Sequence, residues 1–424
     1  MQKNARRWYQ DQTLWPLLAL SASVKIAVVW LAADVFYHSA WFGHVSVDVW
    51  GWNDFLSKCQ RGLIPYVDFS KEYPVGAGLL YWGLSRLLPA QYSSHQLLFG
   101  HAAFMAVGDV INTGIFYILA RQLNTRRAGW ITLLFLFTPT ALILSPVRFE
   151  TWVITFSLLG YCFHRKERPG WAVFFWSLGA SIKWYPVFFI GIQELHAIFA
   201  KKRKTQWLRS AGIFLAVSGA LNLPFILWSY RTLGNANNWL ATYLFHLRRP
   251  LYSDTLLGVG ELWFGRWRWE RYASYWSGFL VLGTLLFRPK MRLEYKAVLT
   301  CIAAILFNRI YSTQFHLWFY PFLLFVLCLE EERRMKMFLA VFLGLDLLNI
   351  SVYPFLFTAS IDELRGFAPL AARRHAGVAT ALFTVTVCLR ALVLILLAVL
   401  VASGPEEKAE IQAASAPASA SPQP

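Results

Sequence analysis

Long apolar stretches recur along the whole chain, and short polar segments rich in lysine and arginine separate them. LALSASVKIAVVWLAADVF and FLAVSGALNLPFILW are two such stretches. A helix needs about 20 mostly apolar residues to cross a bilayer. The pattern therefore predicts an all-α polytopic membrane protein whose basic segments lie in the cytoplasm, as the positive-inside rule expects.

The basic segments divide the chain into about 12 transmembrane helices. The first is predicted at about 14–36, after a cytoplasmic N-terminus that carries Lys3, Arg6 and Arg7. The others are predicted near 94–121, 129–146, 150–164, 170–183, 185–199, 209–229, 270–287, 296–308, 316–330, 335–355 and 378–402. Several have only about 15 residues and need local thinning of the bilayer.

The apolar segment 74–89 is too short for a comfortable crossing, and a crossing there would move every later basic segment outside. We therefore expect it to be re-entrant or interfacial, within one large outer loop at 37–92. Further outer loops are expected at 230–269 and 356–377. Residues 1–402 then form one membrane domain, and the Ala/Pro/Ser-rich residues 403–424 form a disordered cytoplasmic tail.

Composition supports this interpretation. Hydrophobic residues make up 57% of the chain and charged residues only 15%, against about 25% charged in soluble domains. The net charge of +17 would suggest nucleic-acid binding in a soluble protein, but the cations lie between apolar stretches, so we exclude nucleic acid as a partner. The five cysteines show neither a disulfide framework nor metal-ligand spacing.

The first outer loop concentrates carboxylates in a chain with only 23 acidic residues. It contains Asp48, Asp54, Asp68 and Glu72. We interpret Asp54 as a solvated charge. Asp48 and Asp68 stand among aromatic and aliphatic residues, where an unpaired carboxylate is costly and where a general base is commonly tuned.

Other outer turns are also polar. They contain Arg148, Glu150, Lys183, His246, Arg248, Arg249, Asp254, Asn308, Arg309, Ser312 and Gln314. Interfacial snorkelling explains each of these residues taken singly. Together, however, the cations at 183, 248, 249 and 309 oppose the positive-inside rule on the side of the acidic loop. Arginine grips phosphate bidentately and lysine acts as a point charge, so the set predicts an anionic substrate.

The run VDVWGWNDFLSKCQRGLIPYVDFSKEYPVG resembles the first-loop signature of the polytopic glycosyltransferases of the C superfamily. In particular, it resembles family 87, the polyprenyl-phosphate-mannose-dependent type. The matching residues are Asp48, Gly62, Pro65, Tyr66, Asp68, Phe69, Glu72, Tyr73, Pro74 and Gly76. The later segments KWYP, FHLRRPLYSD and RIYSTQFHLW resemble family blocks in the same order, so the resemblance covers about 45 to 330. Val75 replaces the motif's second proline.

The resemblance implies inverting transfer of a hexose, expected to be mannose, from a polyprenyl-phosphate donor to a glycan or glycolipid acceptor. Asp48 is the implied general base, and Lys183, Arg248 and Arg309 would hold the leaving phosphate, with Arg249 beside them. Asp68 and Glu72 would orient the loop or bind acceptor hydroxyls. His246 and Gln314 could hydrogen-bond the sugar, and Tyr66 offers a stacking face. No cofactor is implied, although a divalent ion held by a carboxylate and a phosphate is left open. The expected location is a bacterial inner membrane, with the site on the periplasmic side.

Two other functions compete with this one. A transporter or flippase for a lipid-linked or anionic solute predicts paired broken helices and charges near the bilayer midplane. A structural assembly partner would need neither the acidic loop nor the cations. The sequence places its visible charges at one edge of the membrane and shows no repeated halves, which favours the enzyme.

Overall fold

The computed structural model describes residues 11–36, 47–199, 205–249, 251–264, 270–364 and 377–406. Within these ranges the side chains of Asp48 and Arg248 are not described. The described residues form helices without a β-strand, and only isolated bridges join Pro65 to Phe69 and Met291 to Glu406. The chain is therefore an all-α protein, as the apolar pattern predicted.

The helices of the first half include the predicted outer loop. They are α1 (Leu14–Leu31), α2 (Val47–Gln60), α3 (Val75–Leu87), α4 (Ser94–Leu123), α5 (Ala128–Phe137), α6 (Pro139–Leu144), α7 (Glu150–Arg165), α8 (Pro169–Ile182) and α9 (Val187–Phe199). A π-helical turn, Ala32–Phe36, extends α1, and a 3₁₀ turn, Ser145–Val147, follows α6.

The second half continues the same pattern. Its helices are α10 (Thr205–Leu233), α11 (Asn237–Arg248), α12 (Leu256–Phe264), α13 (Glu270–Leu286), α14 (Leu293–Leu306), α15 (His316–Leu329), α16 (Glu332–Ile350), α17 (Phe357–Leu364) and α18 (Val378–Ala402). A 3₁₀ turn, Thr313–Phe315, precedes α15, and a π-helical turn, Ser351–Leu356, joins α16 to α17.

Five helices of the described chain are long and apolar enough to cross a membrane. They are Leu14–Val35, Ser94–Leu123, Thr205–Leu233, Glu332–Ser360 and Val378–Ala402. A sixth candidate is the pair α5 and α6, which is bent by 49° at Thr138. A residue before proline disfavours helical geometry, and Thr138, before Pro139, is extended at φ −61° and ψ 134°. The chain is thus an integral, multi-pass membrane protein with five to six candidate spans, whereas about 12 were expected.

The remaining predicted spans are present as helices but are short. Helices α8, α14 and α15 have 14 residues each, α7 has 16 and α9 has 13. At 1.5 Å per residue a 14-residue helix is about 21 Å long, while the hydrocarbon core is about 30 Å thick. Such a helix starting at one membrane surface stops roughly 10 Å before the other.

The short helices are joined at one end, which we call the basic end because Arg127, Arg292 and Arg334 lie there. Tyr161 near the end of α7 donates a hydrogen bond to Glu294 at the start of α14. Tyr295 donates to Glu330, just after α15, at 3.1 Å. The opposite ends of α7, α8, α9, α14 and α15 lie away from the basic end, and we call that side of the bundle the site end.

The predicted tail begins in contact with the basic end. The Pro405 carbonyl accepts a hydrogen bond from the Arg292 backbone N–H at 3.4 Å. Arg334 donates to the Ser403 hydroxyl at 3.1 Å. Residues 403 and 405 of the predicted tail thus contact the basic end, and residues 407–424 are outside the described chain.

Helix α3 covers the segment whose crossing was in question. It has 13 residues, about 20 Å, and is too short to span the core alone. Its start lies against α8, where a Cβ at Gly76 would approach the Ser181 backbone oxygen to 2.6 Å. Its end meets α4, where a Cβ at Gly100 would lie 2.8 Å from Leu88. Both neighbours lie toward the site end, so α3 stays in that half of the bundle.

Candidate functional site

The first loop folds around Tyr66, which lies between α2 and α3. Tyr66 has a positive φ of 65° and no exposed surface. Its hydroxyl lies 2.9 Å from the Tyr73 carbonyl oxygen and 3.0 Å from that of Pro74. These contacts hold the loop closed at its two ends. Tyr66 was expected to offer a stacking face to substrate, but its complete burial gives it a structural role.

Asp68 also serves the loop itself. Its side chain is exposed, and Oδ2 accepts a hydrogen bond from the Ile64 backbone N–H at 2.7 Å. The backbone N–H of Asp68 donates to the Ile64 carbonyl at 2.9 Å. The pair closes a tight turn, in which aspartate is common for this reason. Asp54 is exposed and pairs with Lys58 at 2.6 Å, as a solvated charge would.

Glu72 and His246 bring the first loop against α11. His246 Nε2 lies 2.6 Å from the Glu72 carbonyl oxygen, so Nε2 carries the ring proton. Burial lowers the pKa of His246 below its ordinary value. The hydrogen bond to the Glu72 carbonyl partly offsets this effect, and the positive charge of Arg249 adds to it. The imidazole is therefore neutral at pH 7, with Nδ1 available as an acceptor. The Glu72 carboxylate lies 3.4 Å from Lys71.

Lys183 follows the end of α8 and forms an ion pair with Glu150, the first residue of α7. Glu150 is completely buried, and Lys183 is only 8% exposed. Three aromatic rings surround the lysine ammonium, with centroids 5.2 Å away for Phe149, 5.0 Å for Phe315 and 5.5 Å for Trp318. The positive end of the α7 dipole also favours a carboxylate at this position. Lys183 is thus neutralised within the protein, which the sequence did not indicate.

Arg249 and Arg309 meet beside this pair. Arg309 Nη1 donates to the Arg249 carbonyl at 3.3 Å, and the Arg309 carbonyl accepts from the Tyr252 N–H at 2.9 Å. The Arg249 guanidinium donates to the Tyr252 hydroxyl at 3.0 Å and lies 5.0 Å from the Phe245 ring centroid. Arg249 has no carboxylate partner among the described residues. Arg248 ends α11, and its side chain lies outside the described part.

Gln314 lies in the 3₁₀ turn before α15 and is 4% exposed. Its Oε1 has no hydrogen-bond partner in the described chain. Asn349 of α16 donates to the neighbouring Thr313 carbonyl at 3.0 Å and fixes the turn. A buried amide oxygen without a partner is uncommon, so Gln314 is suited to receive a hydrogen bond from a bound group.

Asp48 is the second residue of α2, and its side chain is not described. One helical turn later, Trp52 stacks on Tyr81 with a centroid distance of 3.6 Å and on Tyr73 with 5.5 Å. Trp52 is 1% exposed, so it is a core residue that anchors α2. Tyr73 makes an edge contact with Phe149 at 4.7 Å. The first turn of α2 therefore lies near the segment that carries Glu150.

Sequence reasoning missed the charges buried within the long helices. Arg390, in the middle of α18, is 1% exposed. It donates to the Asp254 carbonyl at 2.5 Å and to Asn349 Oδ1 at 3.3 Å, and it lies 3.7 Å from the Tyr311 ring centroid. Arg390 thereby attaches the 249–255 turn to the C-terminal helix.

Three further buried charges lie within candidate spans. Lys25 of α1 pairs with Asp109 of α4 at 2.8 Å, and Asp346 of α16 accepts from the Tyr320 hydroxyl at 2.6 Å. The available signal was an ionisable residue inside an apolar run, which is a functional hypothesis by default.

Comparison with known proteins adds no family: no family model, curated protein or solved structure matches this chain. The described geometry brings together Glu72, Lys183, His246, Arg249 and Arg309. Tyr66 and Asp68 instead hold the loop that carries Glu72.

Proposed function

We propose that this protein is a membrane glycosyltransferase that transfers a hexose, mannose in the first instance, from a polyprenyl-phosphate donor to a glycan or glycolipid. The proposal includes the C-superfamily fold with about 12 helices crossing wholly or in part. It also includes a bacterial inner membrane with the site end facing the periplasm, because the basic end carries the cytoplasmic signal.

One observation carries the proposal. The segment that carries the family-like first-loop signature contacts α11 through His246, whose Nε2 lies 2.6 Å from the Glu72 carbonyl oxygen. The charges of Arg249 and Lys183 both act on His246 there. This contact supports a common site for the loop that carries the proposed base and the cations that would bind the phosphate, although about 170 residues separate Glu72 from His246 in the chain.

The shortness of these helices suits a donor with a lipid tail. A sugar phosphate attached to a polyprenyl chain must meet its enzyme near the membrane surface, with the tail among lipids. A 14-residue helix falls roughly 10 Å short of a full crossing, and we propose that the cations at the site end meet the donor phosphate within that gap. The aromatic surroundings exclude water and strengthen the electrostatic contacts.

The chemistry follows from the residues. Asp48 accepts the proton of an acceptor hydroxyl, and that oxygen attacks the anomeric carbon from the face opposite the phosphate. The bond from the anomeric carbon to the phosphate oxygen breaks, and polyprenyl phosphate leaves with the electron pair. Arg249, with Arg309 and Arg248, stabilises the released charge. His246 Nδ1 accepts from a sugar hydroxyl, and a hydroxyl donates to Gln314 Oε1.

The ion pair with Glu150 supports a smaller part for Lys183. Since Glu150 neutralises it, Lys183 would contribute less net charge to a phosphate than the arginines do. We propose that the ion pair holds Phe149 in position, and that Arg249 is the main phosphate contact. Arginine also matches phosphate geometry better than lysine does.

The test compares two substitutions on the same helix. Purified protein in nanodiscs receives synthetic polyprenyl-phosphate-[¹⁴C]mannose, and labelled product is quantified with membrane extract as acceptor. We expect Asp48→Asn to lower turnover by at least about 10²-fold, within the range for a general base. Asp54→Asn, which alters only an exposed carboxylate on α2, should keep turnover within about twofold. Equal activity of the Asp48 variant and wild type would refute the base assignment, and no donor cleavage by wild type would refute this donor.

A transporter or flippase remains a second candidate, because Lys25, Asp109, Asp346 and Arg390 are buried at mid-helix positions. Charges at such depth are typical of transport pathways. The two functions differ in whether the donor is cleaved. Proteoliposomes with fluorescent lipid phosphate in one leaflet would show movement without cleavage for a flippase, and cleavage for the transferase.

A further inference from the structure

The buried ion pair between α1 and α4 lies outside the site described above. Lys25 Nζ lies 2.8 Å from Asp109 Oδ2, and the two side chains are 6% and 12% exposed. Moving a charge into such surroundings is expensive, and the loss is recovered only when further hydrogen bonds satisfy the remaining atoms. The partners of this pair therefore indicate what it holds in place.

Each oxygen of the Asp109 carboxylate binds a different end of one segment. Oδ2 accepts a hydrogen bond from the Ser145 hydroxyl, which also lies 3.3 Å from Lys25 Nζ. Oδ1 accepts from the Thr151 hydroxyl at 3.0 Å. Asn112, one turn further along α4, donates to the Thr151 carbonyl at 2.9 Å. A single carboxylate thus attaches both ends of residues 145–151 to α4.

The close approach of the segment depends on a glycine of α4. A Cβ at Gly108 would lie 2.7 Å from Thr151 Cγ2, which is too close for an ordinary contact. The glycine therefore lets the start of α7 approach α4 closely enough for the Thr151 hydroxyl to reach Asp109. The cavity beside the pair measures about 20 Å³, room for roughly one water molecule, so the pair stays in a tightly packed environment.

The attached segment carries the residues that shape the site. Between Ser145 and Thr151 lie Arg148, Phe149 and Glu150. Glu150 neutralises Lys183, and Phe149 contacts both Tyr73 of the first loop and the Lys183 ammonium. Movement of the segment would therefore displace the ion pair and the first loop together.

We propose that Asp109, with its charge balanced by Lys25, is a positioning residue that holds segment 145–151 and so places Glu150 against Lys183. The role explains why a lysine and an aspartate occupy the middle of two otherwise apolar helices. It also gives α1 a part in the site, although no residue of α1 was among the expected site residues. Its consequence for turnover rests on the proposed function; its structural consequence does not.

The first test needs no substrate. Hydrogen–deuterium exchange of the protein in nanodiscs is followed by mass spectrometry for wild type and Asp109→Asn. A hydrogen bond to a charged group contributes about 1.5–3 kcal/mol, so exchange within residues 145–152 should accelerate about tenfold or more. Peptides from α14 should exchange at the wild-type rate. Unchanged exchange in 145–152, or a uniform rise across the bundle, would overturn the proposal.

Two variants guard against simple misfolding. Lys25→Met with Asp109→Asn leaves no unpaired buried charge but still removes one acceptor oxygen, so the bundle should fold while 145–152 exchanges faster than in wild type. Glu294→Gln removes a comparably buried carboxylate at the basic end. It should accelerate exchange near the start of α14 and leave 145–152 unchanged. If residues 145–152 exchange as fast in Glu294→Gln as in the double variant, the positioning role of Asp109 is contradicted.

The second test measures turnover. A misplacement of about 1 Å costs up to about 10²-fold in rate, so the double variant should lower kcat by tenfold or more while the KM for donor stays within about threefold. If the loss of activity equals the loss of folded protein, so that kcat per folded molecule is unchanged, a positioning role is refuted. Absence of transfer by wild type would refute the proposed function and leave the exchange result intact.

Discussion

Replacing Glu150 by glutamine removes the negative charge that neutralises Lys183 while keeping the side chain's shape. Glu150 is fully buried and the lysine side chain is 10% exposed. Removing one partner of such a pair costs about 3–5 kcal/mol, because the other charge is left buried. Lysine can release its proton when buried, which limits the loss. We therefore expect Glu150→Gln to lower the free energy of unfolding by about 3 kcal/mol.

The double-mutant cycle isolates the pair from other effects of each substitution. Lys183→Met alone leaves Glu150 without its counter-ion and should cost a similar amount. The combination of Glu150→Gln and Lys183→Met leaves no buried charge, and such replacements are often neutral. The double variant should therefore lose at least about 2 kcal/mol less than the sum of the single losses.

The assay is reversible unfolding in mixed detergent micelles, followed by tryptophan fluorescence and far-UV circular dichroism. The exposed pair Lys58–Asp54, with side chains 31% and 71% exposed, supplies the control cycle, and its coupling should stay below about 1 kcal/mol. Losses that add in the Glu150–Lys183 cycle, or a coupling no larger than in the control, would refute a buried, mutually dependent pair.

Two other substitutions test the loop and the turn around the site. Gly78→Ala should destabilise the protein by about 1–3 kcal/mol, because the new Cβ would lie 2.7 Å from Tyr66 Cζ. Gly83→Ala is the control on the same helix, since open space surrounds that position. Equal thermal midpoints of the two variants would contradict the close contact between Gly78 and Tyr66. Burial raises the pKa of Asp254 to about 7 against 3.8 in the unfolded chain, while Arg390 lowers it. The protonated Asp254 side chain therefore contributes fully to the free energy of unfolding below about pH 4, and this contribution is lost as pH rises through 7. The thermal midpoint of Asp254→Asn should therefore rise relative to that of wild type between pH 5 and pH 8. A difference in midpoint that does not change with pH would show that Asp254 is not the titrating group. His246, whose pKa is lowered, changes stability with pH in the opposite direction, but it does so equally in both proteins.

The positions of the helices could be predicted from the apolar pattern. The spans predicted at 94–121 and 378–402 correspond to Ser94–Leu123 and Val378–Ala402. Apolar length is a local property, so the sequence shows it directly. The break at Thr138 was missed because Pro139 lies inside an otherwise continuous apolar stretch, and only the adopted backbone shows a bend of 49° there.

The candidate site was predictable in composition and only partly in geometry. Composition and position pointed to the acidic loop, His246 and the cations near residues 249 and 309. The burial of Tyr66 was not visible, because an aromatic residue can serve either substrate contact or loop closure. For Asp68 the sequence left loop orientation and substrate contact open, and the hydrogen bond to Ile64 agrees with the first. Glu150 was noticed as a polar residue, but nothing in its neighbourhood along the chain identifies a lysine 33 positions later as its partner.

By itself the sequence determined that this is an all-α membrane protein, where its long apolar helices lie, and which segments carry unusual polarity. Each of these depends on the hydropathy of neighbouring residues, which the chain order contains. Tertiary structure alone decided that α7, α14 and α15 are joined by hydrogen bonds at the basic end. It also decided that Lys183 is neutralised by Glu150 and that Asp109 holds both ends of the segment between them. Such facts depend on distances between residues remote in sequence, and the free energy of a buried charge depends on those distances rather than on its neighbours along the chain.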